Sequence, residues 1–208
     1  MGKNEPANAR YKKVKITQII FSTSLVICSL IVSGCASIYG SYFMEDPLST
    51  EEHNNLGVIY EREGKYDLAI REYKRAISKD SELVVPLVNI GNVCVIQGSY
   101  GEAEKYYKKA LGKDKHNIEA ANNLASLYIK TGGDYQEGID ALLSATESQK
   151  PVPAYALDTL GVLYFKTGNR EKAGELLKEA CMGASGDEKL KSEISTHLAE
   201  LGEGKGCE

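Results

Sequence analysis

The chain has 208 residues, of which 26 % are charged and 42 % hydrophobic; that suits one or two folded domains and excludes a chain disordered throughout. Residues 1–34 hold five Lys/Arg and one Glu, so behind the overall net charge of −4 the remainder carries 20 basic against 28 acidic side chains, a net −8. A body that acidic repels a phosphate backbone, which argues against nucleic acid as a partner.

At the N-terminus, Lys3, Arg10, Lys12, Lys13 and Lys15 lead into "ITQIIFSTSLVICSLIV" at 16–32, and no charged residue occurs from Ile16 through Met44. A basic stretch followed by an apolar one is the order of a secretory leader. Length alone also permits a membrane-spanning helix. Against a span, Thr17, Gln18, Ser22, Thr23, Ser24 and Ser29 dilute the run, and Ser33, Gly34, Gly40 and Ser41 follow it. The next feature, "VSGC" at 32–35, resembles the lipobox of bacterial lipoproteins: a branched residue, two small ones, then the cysteine that receives diacylglycerol. The resemblance implies a signal peptide over 1–34, removed by cleavage, and a lipid (diacylglycerol and palmitate chains) on Cys35. The body is then tethered to a membrane, because two or more acyl chains hold a protein where one lets it leave. Ala36, where an Asp would resemble an inner-membrane retention signal, implies the outer membrane, facing the periplasm. An uncleaved N-terminal helix on a cytosol-facing protein is the alternative. Residues 35–49, with Tyr39, Tyr42 and Phe43 before Asp46 and Pro47, read as a tether.

From about residue 50 the chain repeats itself. Leu56, Gly57, Gly64, Tyr66, Ala69, Tyr73 and Ala76 recur as Ile90, Gly91, Gly98, Tyr100, Ala103, Tyr107 and Ala110, every offset being 34. A third copy carries Leu124, Ala125, Tyr128, Tyr135, Gly138, Leu142 and Ala145, and a fourth Leu160, Gly161, Tyr164, Gly168, Ala173, Leu177 and Ala180. Leu56 with Tyr60, and Ala69 with Tyr73 and Ala76, stand three or four residues apart and mark helical faces. Gly64 divides them, which predicts two short helices per unit. Small residues recur where the two helices come closest: Gly57, Gly91, Ala125 and Gly161 on the first, Ala69, Ala103, Gly138 and Ala173 on the second.

Thirty-four residues is the period of the tetratricopeptide repeat (TPR), which the chain resembles over roughly residues 50–185. The resemblance implies an all-α, right-handed α-solenoid of four TPR hairpins, at 50–83, 84–117, 118–153 and 154–186. The fourth-position Trp of the family is absent. The segment "DEKLKSEISTHLAELG", with Leu190, Ile194, Leu198 and Leu201 on one face, predicts a C-terminal capping helix over 187–202 and a tail over 203–208; a solenoid needs such a polar-backed end.

Chemistry-bearing residues are sparse. His53, His116 and His197 fall in three separate elements with no metal-ligand spacing, and read as surface or half-buried histidines. The tail "LGEGKGCE" has no strand before it and no helix after it, so it is no phosphate loop. Cys94 replaces the Tyr of the other repeats and is expected as a small buried hydrophobe. Cys181 and Cys207 could pair in an oxidising compartment. A cap helix running back along its neighbour, however, carries the chain about 23 Å away, and a five-residue tail returns about 17 Å at most. A free thiol at Cys207 is therefore expected. No enzyme activity, cofactor, metal or small-molecule substrate is expected.

In TPR proteins the first helices line a concave groove. Carried over position by position, that surface comprises Asn54, Val58 and Glu61; Val85, Val88, Asn92 and Val95; Asn122, Ser126 and Ile129; and Tyr155, Asp158, Val162 and Phe165. Amides that pair with peptide backbone beside apolar area suit a protein or peptide partner. The basic clamp that some relatives use for C-terminal carboxylates is missing, its positions holding Asn54, Val88, Asn122 and Asp158. Asn55, Asn89 and Asn123 also recur, as structural residues. The chain thus resembles a lipid-tethered adaptor of an envelope assembly: pilus, secretin, outer-membrane or cell-wall machinery. A thiol-dependent envelope enzyme or redox protein using Cys181 or Cys207 is the alternative.

Overall fold

The computed structural model describes residues 46–202 and 206–207; Cys35 and the cleavage site expected before it lie outside them. Asp46 and Pro47 fall in a unit separate from the repeat body, which starts at Leu48. Among the described residues there is no strand. The described residues form nine helices in order: α1 Thr50–Arg62, α2 Tyr66–Lys79, α3 Val85–Ile96, α4 Tyr100–Lys113, α5 Ile118–Thr131, α6 Tyr135–Thr146, α7 Ala154–Lys166, α8 Arg170–Gly183 and α9 Glu188–Leu201. None of these is long and apolar enough to cross a membrane.

Local chemistry sets the helix ends. Ser49 and Glu52 form a capping box on α1, the Glu52 N–H donating to Ser49 Oγ at 3.2 Å and the Ser49 N–H to Glu52 Oε2 at 2.7 Å, so that two otherwise orphaned donors are satisfied together. Asn117, Asp134, Asn169 and Asp187 accept from the starts of α5, α6, α8 and α9 in the same way. Between the two helices of each unit the chain turns on Gly64, Gly98, Gly132 and Gly168, all at φ between 71° and 89°. That left-handed conformation is open to glycine without the Cβ clash other residues meet.

The helices pack as four hairpins (α1/α2, α3/α4, α5/α6, α7/α8), each second helix lying against the first helix of the next unit, and α8 against α9. First helices also adjoin one another in succession, from α1 with α3 to α7 with α9, and so form the inner layer. Within a hairpin, small residues meet large ones. A Cβ on Gly57 would stand 2.6 Å from Tyr73 Cδ1, and one on Gly91 2.7 Å from Tyr107 Cδ1. Both rings are buried, and each phenol finds a partner, Tyr73 donating to Glu61 Oε2 at 2.7 Å and Tyr107 to Asn92 Oδ1 at 2.8 Å. A buried tyrosine needs such an outlet for its hydroxyl. In the third unit the small pair is exchanged: Ala125 sits on α5 and Gly138 on α6, where a Cβ would come 3.3 Å from Ala125 Cα. One methyl is thus present and one absent at this pair in every hairpin.

The C-terminal end is closed by α9. Its Ile194, Leu198 and Leu201 are 0 %, 2 % and 5 % exposed and join the core made by α5 to α8, while Arg170 donates to the Leu201 carbonyl and satisfies the helix terminus.

Candidate functional site

The inner layer holds a cleft of about 250 Å³ between α3 and α5, lined by Asn92, Val95, Ile96, Tyr107, Asn123, Ser126, Leu127 and Lys130. Its surface is mostly apolar, with amides placed by their neighbours. Asn92 Oδ1 accepts from Tyr107 Oη and from Asn123 Nδ2, both at 2.8 Å. One turn-pair earlier, Asn89 Nδ2 donates to Asn54 Oδ1 at 3.2 Å. Since the carbonyl oxygen of Asn92 is occupied twice, its Nδ2 is left as a donor toward the cleft. Lys130 stands at the mouth with its ammonium 5.1 Å from the centre of the Tyr100 ring, close enough for a cation–π contact.

Tetratricopeptide repeat family models match residues 50–83, 95–157 and 154–182, leaving only 84–94 unmatched between 50 and 182. The chain is a tetratricopeptide repeat protein. Solved TPR-like structures agree with its fold. A crystal structure of the MamA protein is 26 % identical, with a TM-score of 0.60 over 74 % of this chain and 84 % of that one. PilF of Pseudomonas aeruginosa is 18 % identical, with a TM-score of 0.63 over 76 % and 77 %. A TPR protein of Parabacteroides merdae is 21 % identical, with a TM-score of 0.64 over 89 % and 72 %. No curated protein matches the sequence.

Within this TPR body the inner-face residues expected from the sequence separate into groups. Asn92, Val95 and Ser126 come together in the cleft. Val85 and Tyr155 are exposed at 54 % and 41 %, and Asn54, Val58, Glu61, Asn122, Ile129, Val162 and Phe165 are partly exposed along α1, α5 and α7. Val88 and Asp158 are corrections. Val88 is 2 % exposed in the core between the first two units, because α3 is apolar around nearly its whole circumference. Asp158 is covered by α9. Ile96, Asn123 and Lys130 line the cleft without having been expected there, although Ile96 and Lys130 each follow an expected residue, Val95 or Ile129, on the same helix.

His53 is also a correction: it is wholly buried, and its Nδ1–H donates to Glu72 Oε2 at 2.9 Å. Burial pushes the Glu72 carboxyl upward, but hydrogen bonds from His53, Arg71 and Arg75 outweigh it and hold the group below its ordinary value. Cys94 is a buried thiol, its pKa raised chiefly by burial. Among the described residues no three His, Cys, Asp or Glu side chains converge as a metal site requires.

The expected free thiol at Cys207 is overturned. Cys181 and Cys207 form a disulfide with their Cα atoms 5.3 Å apart. The tail does not have to retrace all of α9, since the Cys207 N–H donates to Ser195 Oγ at 3.0 Å, near the middle of that helix. Only half the distance has to be recovered.

His197 of α9 donates from Nδ1 to Asp158 Oδ1 at 2.7 Å, the two side chains being 30 % and 11 % exposed. This bond raises the His197 pKa above its usual 6.5 against the opposing effect of burial, with Glu200 and Glu193 of α9 adding smaller attraction. Because the folded-state value is the higher one, the stabilisation is complete below about pH 6.5 and is lost as pH rises through the folded value. Amide exchange in α9, corrected for intrinsic rates, is expected to show more protection at pH 6 than at pH 9. A His197→Ala variant should lose that difference; an unchanged difference would mean the latch lies elsewhere.

Proposed function

We propose that this protein is a membrane-tethered scaffold that recruits a protein partner into an assembly of a bacterial cell envelope, held by lipid on Cys35 and binding through the inner face of its repeats. The observation that carries the reading is the open α3/α5 cleft, in which an apolar floor lies beside an amide whose orientation two internal hydrogen bonds have already set. Pre-organised polar groups around apolar area are what a peptide-binding groove requires, because little ordering cost remains at binding. The Cys181–Cys207 disulfide supports a place outside the cytosol, where such bonds persist. It also takes both sulfurs out of the thiolate form that the rival thiol enzyme would use. The lipobox-like "VSGC" supports the tether.

Two measurements test this. With a photo-activated cross-linker at Val58, captured partner should fall about tenfold or more when Ile96→Asp and Ser126→Arg, both exposed in the cleft, are combined, while the melting temperature stays within a few degrees; undiminished capture refutes the groove. Mass spectrometry of the membrane-extracted protein should show a chain beginning at an acylated Cys35. A chain still carrying residues 1–34 refutes the tether.

A further inference from the structure

Arg62, Lys130 and Lys166 occupy the same place in three repeats, each five residues after the small residue of the first helix (Gly57, Ala125, Gly161), in the last turn of α1, α5 and α7. None of them pairs with a carboxylate among the described residues, although beyond residue 34 the chain has 28 acidic side chains for 20 basic ones. Seven other lysines, Lys65, Lys105, Lys108, Lys113, Lys172, Lys189 and Lys191, lie within ion-pair distance of a glutamate, whereas Lys74, Lys109, Lys115 and Lys150, like these three, pair with none among the described residues. A cation at a helix C-terminus complements the dipole, which accounts for the sign of these residues; of the three, Lys130 is the one that lines the cleft. In α3 the same position is Ile96, 55 % exposed on the floor of the cleft. The cleft therefore presents an apolar seat at Val95 and Ile96, flanked by groups that can donate: Asn92 Nδ2, Ser126 Oγ and the Lys130 ammonium.

We infer that the groove selects an acidic apolar segment of a partner protein, with one apolar side chain seated on Val95 and Ile96 and a neighbouring Asp or Glu side chain meeting Lys130 and Asn92. The inference rests on the groove reading above and adds the partner's chemistry to it. It is distinct from a terminal-carboxylate clamp, since the acid belongs to a side chain within the segment and the cations stand at other positions. Electrostatic complementarity of this kind sets selectivity and association rate.

The test uses the full lipid-free body and random peptides displayed on phage. Selection on the wild type should enrich peptides in which an apolar residue lies within two positions of Asp or Glu. Selection on Lys130→Glu, an exposed change that leaves the melting temperature in place, should enrich Lys or Arg there instead. A synthetic copy of a selected peptide should bind about tenfold more weakly when its acid is replaced by the amide, and wild-type binding should weaken as salt rises. Enrichment of apolar residues without acids, abolished by Val95→Asp, would keep the groove and overturn the acidic preference. Enrichment indifferent to Val95→Asp, or no enrichment, would overturn both.

Discussion

Replacing Gly91 with alanine is expected to destabilise the protein by about 2 kcal/mol, even though alanine is the better helix former by about 1 kcal/mol. The new methyl would stand 2.7 Å from Tyr107 Cδ1. Tyr107 has nowhere to go, being 2 % exposed and tied through its hydroxyl to Asn92. The third repeat shows how the same space can be filled otherwise, with Ala125, Gly138 and Leu142 at the corresponding positions. Transplanting that set, as Gly91→Ala with Ala103→Gly and Tyr107→Leu, removes the ring that the new methyl meets and should recover part of the lost stability, the buried ring atoms deleted with Tyr107 being the part not recovered. Urea melts of the single, double and triple variants would measure the coupling. If Gly91→Ala proves neutral, the close approach of α3 and α4 is not what the glycine serves.

A second large effect is expected at the C-terminal end. Cys207→Ser should loosen α9 by about 2–4 kcal/mol, the usual worth of a native disulfide, because the tail then no longer closes the loop from Cys181 across Ser195. Hydrogen exchange should locate the change in α9 and the end of α8, with α1 to α4 unaffected, as repeat arrays transmit stability mainly between neighbours. Reductant should reproduce the effect in the wild type and add nothing in the variant. Peptide mapping without reduction should recover a fragment linking Cys181 to Cys207; two separate alkylated fragments would remove the bond from the account. Partner binding at the α3/α5 cleft should survive the substitution, which separates the cap from the groove.

The repeat was legible because its evidence is local. Gly57 and Gly91, Ala69 and Ala103, or Ala76 and Ala110 recur at one period, and a small residue every 34 positions has one economical explanation, the close approach of helices. The recurring glycines at 64, 98 and 168 likewise marked their turns through a backbone conformation glycine enters freely. The groove was legible only in part. The resemblance placed Asn92, Val95 and Ser126 on the inner face, but a face is not yet an exposed surface. Val88 shares the inner-face pattern and is nevertheless enclosed, and Asp158 shares it and is covered by a histidine 39 residues further along the chain. No periodicity joins those two residues. The asparagines show the same limit: their recurrence was visible, whereas which oxygen accepts from which amide depends on how far α3 and α5 stand apart.

What the sequence by itself determined, then, is the helical hairpin and its 34-residue period, because these follow from short-range sterics repeated along the chain. What only the tertiary structure decided is how the units sit on one another: the burial of Val88, the His197–Asp158 latch, the orientation of the Asn92 amide and the closure of Cys181 on Cys207. Each of these depends on the angle at which one helix crosses another, and that angle is set by the simultaneous packing of many side chains far apart in sequence rather than by any one stretch of it.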